Sequence, residues 1–214
     1  MTGFIVLEGG EGAGKSTQAR LLTPWLTEVT GIACHQTVDP GGTDLGWQMR
    51  KLIMEDTFAN ITPVEHMTLF GVAKMALAHE HIAAARKAGE WLISDRFQFG
   101  SPVYQGYVNK EDTEWEYFVR YYTEKLIGNA WPDLTLVLDV PPEIGLNRKQ
   151  RSGEKLNLFD EKSIRFHRKV RKGYLHYAKL YANRGTVVIN ANRPLEKVTT
   201  DIQRAISSHF ALAA

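Results

Sequence analysis

Short apolar runs alternate with longer segments of helical period along this 214-residue chain. Phe4–Glu8, Ile32–Val38, Trp91–Asp95, Leu134–Leu138 and Thr186–Ile189 are too short for helices, so the pattern predicts a strand in each. Between them, apolar residues recur at helical spacing. Ser16–Thr27 puts Ala19, Leu22 and Leu26 on one face, with Pro24 an awkward interior residue. Leu45–Glu55 reads as a second helix. Thr62 and Glu65 have the spacing of a capping box, and Pro63 stands at the first helical position. They predict a long helix from Pro63 to Ala88, ended by Gly89. Its residues Met67, Phe70, Val72, Ala73, Leu77 and Ile82 cover more than one side, so it should be largely buried. Thr113–Ile127, Pro142–Gly153, Phe159–Asn183 and Leu195–Phe210 are the remaining predicted helices. Ser101–Tyr107 reads as a loop or short helix.

Strands alternating with helices predict an α/β fold with a mostly parallel sheet and helices on both faces. Neither a repeat nor a linker divides the chain, so one domain is expected over residues 1–214. Ligands of such sheets gather outside the carboxyl ends of the strands. Glu8, Asp39, Asp95-Arg96 and Asp139 fall there. A net charge of +2 does not by itself point to nucleic acid. The basic cluster between Arg148 and Lys172, opposed only by Glu154, Asp160 and Glu161, suits an anionic ligand or a solvated helix face. The single cysteine, Cys34, excludes an intrachain disulfide and a cysteine-rich metal site. Met1-Thr2-Gly3 carries no basic leader, and no apolar run reaches the length of a membrane span. The expectation is a cytoplasmic protein that partners neither membrane nor nucleic acid. His79 and His81 lack metal-site spacing and read as surface or core.

Candidate chemistry begins at Gly9-Gly10-Glu11-Gly12-Ala13-Gly14-Lys15-Ser16. The stretch fits G-x-x-x-x-G-K-[ST] between a predicted strand and a predicted helix, the context a phosphate loop requires. Its glycines let backbone N–H groups turn inward on phosphate oxygens, and the helix adds the positive end of its dipole. Lys15 would reach the β- and γ-phosphates of a nucleoside triphosphate, and Ser16 would take a place on Mg2+. Asp95, ending a strand, is a second candidate for Mg2+ or else a cap or ion-pair partner. Arg96 can clamp an acceptor phosphate bidentately or pair with Asp39. Arg50, Arg148 and Arg151 are further candidates for neutralising a transferred phosphoryl group. Phe70 either stacks on a base or belongs to the core.

Together these motifs resemble the thymidylate kinase family over the length of the chain. The phosphate loop with Glu11 resembles its bacterial form. Asp39-Pro40-Gly41-Gly42-Thr43, followed by Arg50, is similar to E-P-G-G-T and its later arginine. Leu69-Phe70 with Lys74, Asp95-Arg96-Phe97 with Val103-Tyr104-Gln105-Gly106, and Pro132-Asp133-Leu134-Thr135 with Leu138-Asp139 resemble further family motifs. The resemblance implies a P-loop NTPase with a five-stranded parallel core, a mobile basic lid at about residues 147–160 and a homodimer. It implies ATP on Gly9, Gly10, Glu11, Gly12, Ala13, Gly14, Lys15, Ser16 and Thr17, with adenine near Asn190–Pro194 and so on Asn192 and Arg193. It implies dTMP on Asp39, Arg50, Phe70, Lys74, Arg96, Gly100, Tyr104 and Gln105. Lys15, Arg96, Arg148, Arg151 and Asp39 would carry catalysis.

Departures from the family pattern concentrate at base-reading positions. Val38 stands for arginine, Asp39 for glutamate, Lys74 for arginine, Ala76 for glutamine and Gly100 for serine, while Asn157-Leu158-Phe159-Asp160 stands for D-R-I-E. Fewer directed bonds to the base imply weaker discrimination, or preference for a larger or polar 5-substituent. Two other readings stay open: a same-fold kinase for a modified deoxypyrimidine monophosphate, and a nucleotide-binding regulator without acceptor kinase activity.

Overall fold

The computed structural model describes residues 2–54, 61–109, 112–153 and 158–212. Each apolar run is a strand: β1 (Phe4–Glu8), β2 (Cys34–Val38), β3 (Trp91–Asp95), β4 (Leu134–Asp139) and β5 (Thr186–Asn190). They form one parallel sheet in the order β2-β3-β1-β4-β5. Leu7 is level with Asp95 and Leu136, Val38 with Asp95, and Asp139 with Asn190. The strand ends therefore align, and their polar residues meet along one rim.

Helices cover both faces: α1 (Lys15–Thr30), α2 (Asp44–Met54), α3 (Pro63–Leu77), α4 (Ala83–Ala88), α5 (Thr113–Ile127), α6 (Pro142–Arg151), α7 (Ile164–Leu180) and α8 (Leu195–Phe210). Strand periodicity divides the core. Ile5, Leu7, Leu134 and Leu136 point to α1 and α8, packing with Leu22, Leu26, Ile202 and Ile206. Phe4, Val6 and Leu92 point the other way, onto Leu77, Ile82 and Ile127. Val137 joins Phe99, Val103, Val170, Tyr174 and Tyr177 on that second face. Burial on both faces explains why the central strands read as continuous apolar runs.

Several predicted ends shift for local reasons. The first helix runs to Thr30 despite Pro24 and stops at Gly31, whose φ of 68° is left-handed. The capping box forms as expected: Glu65 N donates to the Thr62 hydroxyl at 3.3 Å, and Thr62 N to Glu65 Oε2 at 2.7 Å. The long helix is interrupted by a π-helical turn over Ala78–Ile82 before ending at Gly89. Pro102–Val108 is also π-helical. The segment expected to be helical from Phe159 starts only at Ile164, because Ser163 caps that end by accepting from Phe166 N. Glu55, the expected end of the second helix, lies outside the described residues, as do residues 154–157 of the expected lid. Among the described residues no helix is long and apolar enough to cross a membrane.

Candidate active site

The phosphate loop leaves β1 at Glu8 and enters α1 at Lys15, with Gly9, Gly12 and Gly14 all at positive φ. Gly12 has no alternative: a Cβ there would lie 1.8 Å from the Gly145 carbonyl oxygen on α6. Gly14 caps α1 without a side-chain bond, so the first N–H groups of that helix stay available to an anion. Lys15 is buried and curls back, donating to Gly9 O at 3.1 Å and Gly10 O at 2.8 Å. Burial, aided by the nearby Arg96 charge, pushes its pKa down to about 8, although Asp95, Glu11 and Glu8 pull the other way. The Ser16 hydroxyl donates to Asp95 Oδ2.

Arg96, directly after β3, holds a φ of 70°. Its Nη1 donates to Gly9 O at 2.9 Å and to the Tyr174 hydroxyl; its Nη2 donates to Glu11 Oε1 at 3.0 Å. The Tyr104 hydroxyl donates to the same Oε1 at 2.6 Å. The alternative expected for Arg96, a pair with Asp39, does not form. Asp39 instead pairs with Lys74, both deeply buried. Burial raises the Asp39 pKa, and Lys74 opposes the rise. Burial alone would raise Glu11 too, but His167, Arg96, Lys15 and Tyr104 together hold it well below the usual carboxylate range. Two strand-end acids serve the scaffold: Glu8 accepts from Phe97 N and Phe99 N, and Asp139 takes a bidentate bond from Arg171.

A cavity of about 590 Å³ runs along this rim. The loop residues from Glu11 to Thr17 line its middle. One end is bounded by Arg148, Lys149, Ala191 and Arg193; the other by Asp39, Arg50, Phe70, Lys74, Gly100 and Gln105, with Asp95, Arg96 and Tyr104 between. Arg148 Nη1 donates to Ala191 O at 3.0 Å, and Arg50 Nη1 to Pro40 O at 3.0 Å. Lys74 Nζ lies 5.6 Å from the Phe70 ring centroid and 3.9 Å from where a Cβ on Gly100 would sit.

Some expected residues stand apart. Gly9 and Gly10 meet Lys15 through their carbonyls but do not line the cavity. Arg151 is exposed and outside it. Asn192 is also outside, with its N–H on Asn190 Oδ1. Ala76 is buried and does not line the cavity, so of the base-reading departures this one stands away from it. Sequence reasoning missed Phe159 as a wall residue: its ring is 5.4 Å from Tyr104 and 6.5 Å from Phe70, centroid to centroid. The Lys149–Asp160 ion pair at 2.7 Å fixes the turn that carries it. That position had shown only as a departure from a motif.

Ser16 and Asp95 offer hard oxygen donors side by side, which fits Mg2+. No group of three His, Cys, Asp or Glu among the described residues can cage a metal, so a cation here would take its other ligands from phosphate and water.

The thymidylate kinase family's sequence model matches residues 7–202. A thymidylate kinase of Haemophilus ducreyi is 37% identical over 210 residues, covering 98% of this chain and 95% of that protein. One from Clostridium novyi is 36% identical over 202 residues, at 94% and 96% coverage. One from Maridesulfovibrio salexigens is 34% identical over 209 residues, at 95% and 94% coverage. These matches take in the phosphate loop, the rim beyond β2 and β3, and the helices behind them, and so the chain belongs to the thymidylate kinase family.

Proposed function

We propose that this chain transfers the γ-phosphoryl group of ATP to dTMP, giving ADP and dTDP. The observation that carries the reading is the continuity of the cavity: the phosphate loop lies between two compartments, so donor and acceptor can meet over it. An acceptor phosphate oxygen attacks the γ-phosphorus as the bond to the β,γ-bridging oxygen breaks, and ADP leaves with that electron pair. Loop N–H groups and the α1 terminus hold the donor phosphates, and Lys15 neutralises charge on the β- and γ-groups. Ser16 and Asp95 would hold Mg2+, which when bound neutralises and orients the phosphates. Arg96 and Arg50 face the acceptor phosphate, Phe70 stacks on its base, and Tyr104 and Gln105 border the nucleoside. Asp39 keeps Lys74 in place at the base end. Ala191 and Arg193 border the adenine end.

The same reading takes residues 1–214 as one cytoplasmic kinase domain with a mobile lid at about residues 147–160. Arg148 already borders the cavity. Arg151 contributes only if that segment closes over the triphosphate, excluding water. The exposed aromatic residues Tyr117, Phe118 and Tyr121 on α5 support a homodimer.

One observation favours a second acceptor. A Cβ on Gly100 would meet nothing nearer than Lys74 Nζ, at 3.9 Å, so the missing side chain leaves room on the cavity wall that suits a deoxypyrimidine with a larger or polar 5-substituent. A steady-state panel of dTMP, dUMP, 5-hydroxymethyl-dUMP and dCMP decides between them. Highest kcat/KM with dTMP, but weak discrimination against the others, is the expected result. Turnover confined to 5-hydroxymethyl-dUMP moves the reading to the modified nucleotide.

A further inference from the structure

Glu11 lines the cavity and divides its two carboxylate oxygens between different partners. Oε1 receives Arg96 and Tyr104. Oε2 points away from them, toward a histidine the chemistry above does not use. His167 lies in the first turn of α7, only 3% exposed, with Nδ1 3.4 Å from Oε2. That is charge-pair distance, longer than a well-formed hydrogen bond. Its Nε2 is buried without a partner. The α7 terminus fixes where the ring stands: Ser163 accepts from Phe166 N through its hydroxyl and from His167 N through its carbonyl. The ring itself does not line the cavity.

A carboxylate with one oxygen engaged can still turn about its last torsion, and the Arg96 Nη2 and Tyr104 contacts would shift with it even while Nη1 stays on Gly9 O and Tyr174. A donor on the second oxygen removes that freedom. We propose that His167, with its proton on Nδ1, is a positioning residue that fixes the Glu11 carboxylate and, through it, sets Arg96 and Tyr104 for the acceptor. The inference rests on the kinase reading and adds to it a residue that touches no substrate. Only Nδ1 has the geometry for this, so the role separates the two ring nitrogens. The side-chain amide of asparagine can reach where Nδ1 stands; that of glutamine extends toward Nε2 instead.

The test uses full-length His167→Phe, His167→Asn and His167→Gln in steady-state assays with dTMP and ATP varied separately. The phenylalanine variant should lose about tenfold in kcat/KM for dTMP, with KM for ATP within about twofold of wild type. Asparagine should restore most of the loss and glutamine little of it. If the phenylalanine variant does not fold, the asparagine–glutamine contrast decides alone. Equal effects on both substrates, or asparagine no better than glutamine, would reduce His167 to a packing residue. A wild-type chain that turns over no deoxynucleoside monophosphate removes the functional reading itself; an active wild type matched by all three variants removes only the role of His167.

Discussion

Before the triphosphate arrives, Lys15 holds its proton less firmly than an ordinary lysine. Its pKa is pushed down to about 8, chiefly by burial. The ammonium form is the one that binds phosphate, so ATP should raise this pKa and take up a proton. Below the free value the group is already protonated and contributes no pH dependence. Above it, affinity for ATP should fall as pH rises. Calorimetry in buffers of different ionisation enthalpy should find more proton uptake at about pH 9 than at about pH 7; no uptake at either would contradict the shift. Lys15→Ala should cost roughly 1,000-fold in turnover while leaving the thermal midpoint nearly unchanged. Near-normal kcat would mean the loop does not hold the transferring group. Lys15 and Ser16 were legible in the sequence because the phosphate loop is contiguous. The partner of Arg96 was not. Glu11 and Arg96 stand 85 positions apart, and only the alignment of β1 with β3 decides that Glu11, not Asp39, receives the guanidinium.

Elements were read well where the signals are local. The capping box at Thr62 and the glycine after Ala88 fixed both ends of a long helix. The π-helical turns were not legible, since a widened turn depends on what packs against it rather than on period. The start of α7 lies later than the period suggests: Leu158 and Phe159 continue the apolar spacing of the helix, but Asp160-Glu161-Lys162 breaks it and Ser163 caps the end. The phosphate loop and α6 meet backbone to backbone at Gly12 and Gly145. A Cβ on Gly145 would lie 2.3 Å from Glu11 O. Gly145→Ala should therefore force the loop and α6 apart, lowering stability by about 1–3 kcal/mol and weakening ATP binding. Denaturation and ATP titration check it, and a variant equal to wild type in both would contradict the contact. The proposed lid is tested at the same scale. Proteolysis within residues 147–160 should be suppressed only when donor and acceptor sites are both filled. Equal cleavage in all states, with active Arg148→Ala and Arg151→Ala variants, would remove the lid role.

At the scale of the whole molecule, the parallel sheet does the assembling. Alternation of strand and helix was enough to foresee it, because short apolar strand runs and longer segments of helical period follow one another along the chain. The sheet order was beyond the periodicity, yet it brings the ends of β1 and β3 side by side and makes one rim from distant loops. The acceptor compartment is the part the sequence described least securely. Its walls come from α3, the turns after β2 and β3, and the turn carrying Phe159, so its shape exists only in the fold. In the proposed reaction the rim serves two nucleotides at once. The most direct measurement is ADP release from ATP and Mg2+, coupled to a spectroscopic readout, with and without dTMP. Release should be negligible with ATP and Mg2+ alone and rapid, stoichiometric with dTDP, once dTMP is added. Release that ignores dTMP and every other deoxypyrimidine monophosphate would contradict that reaction.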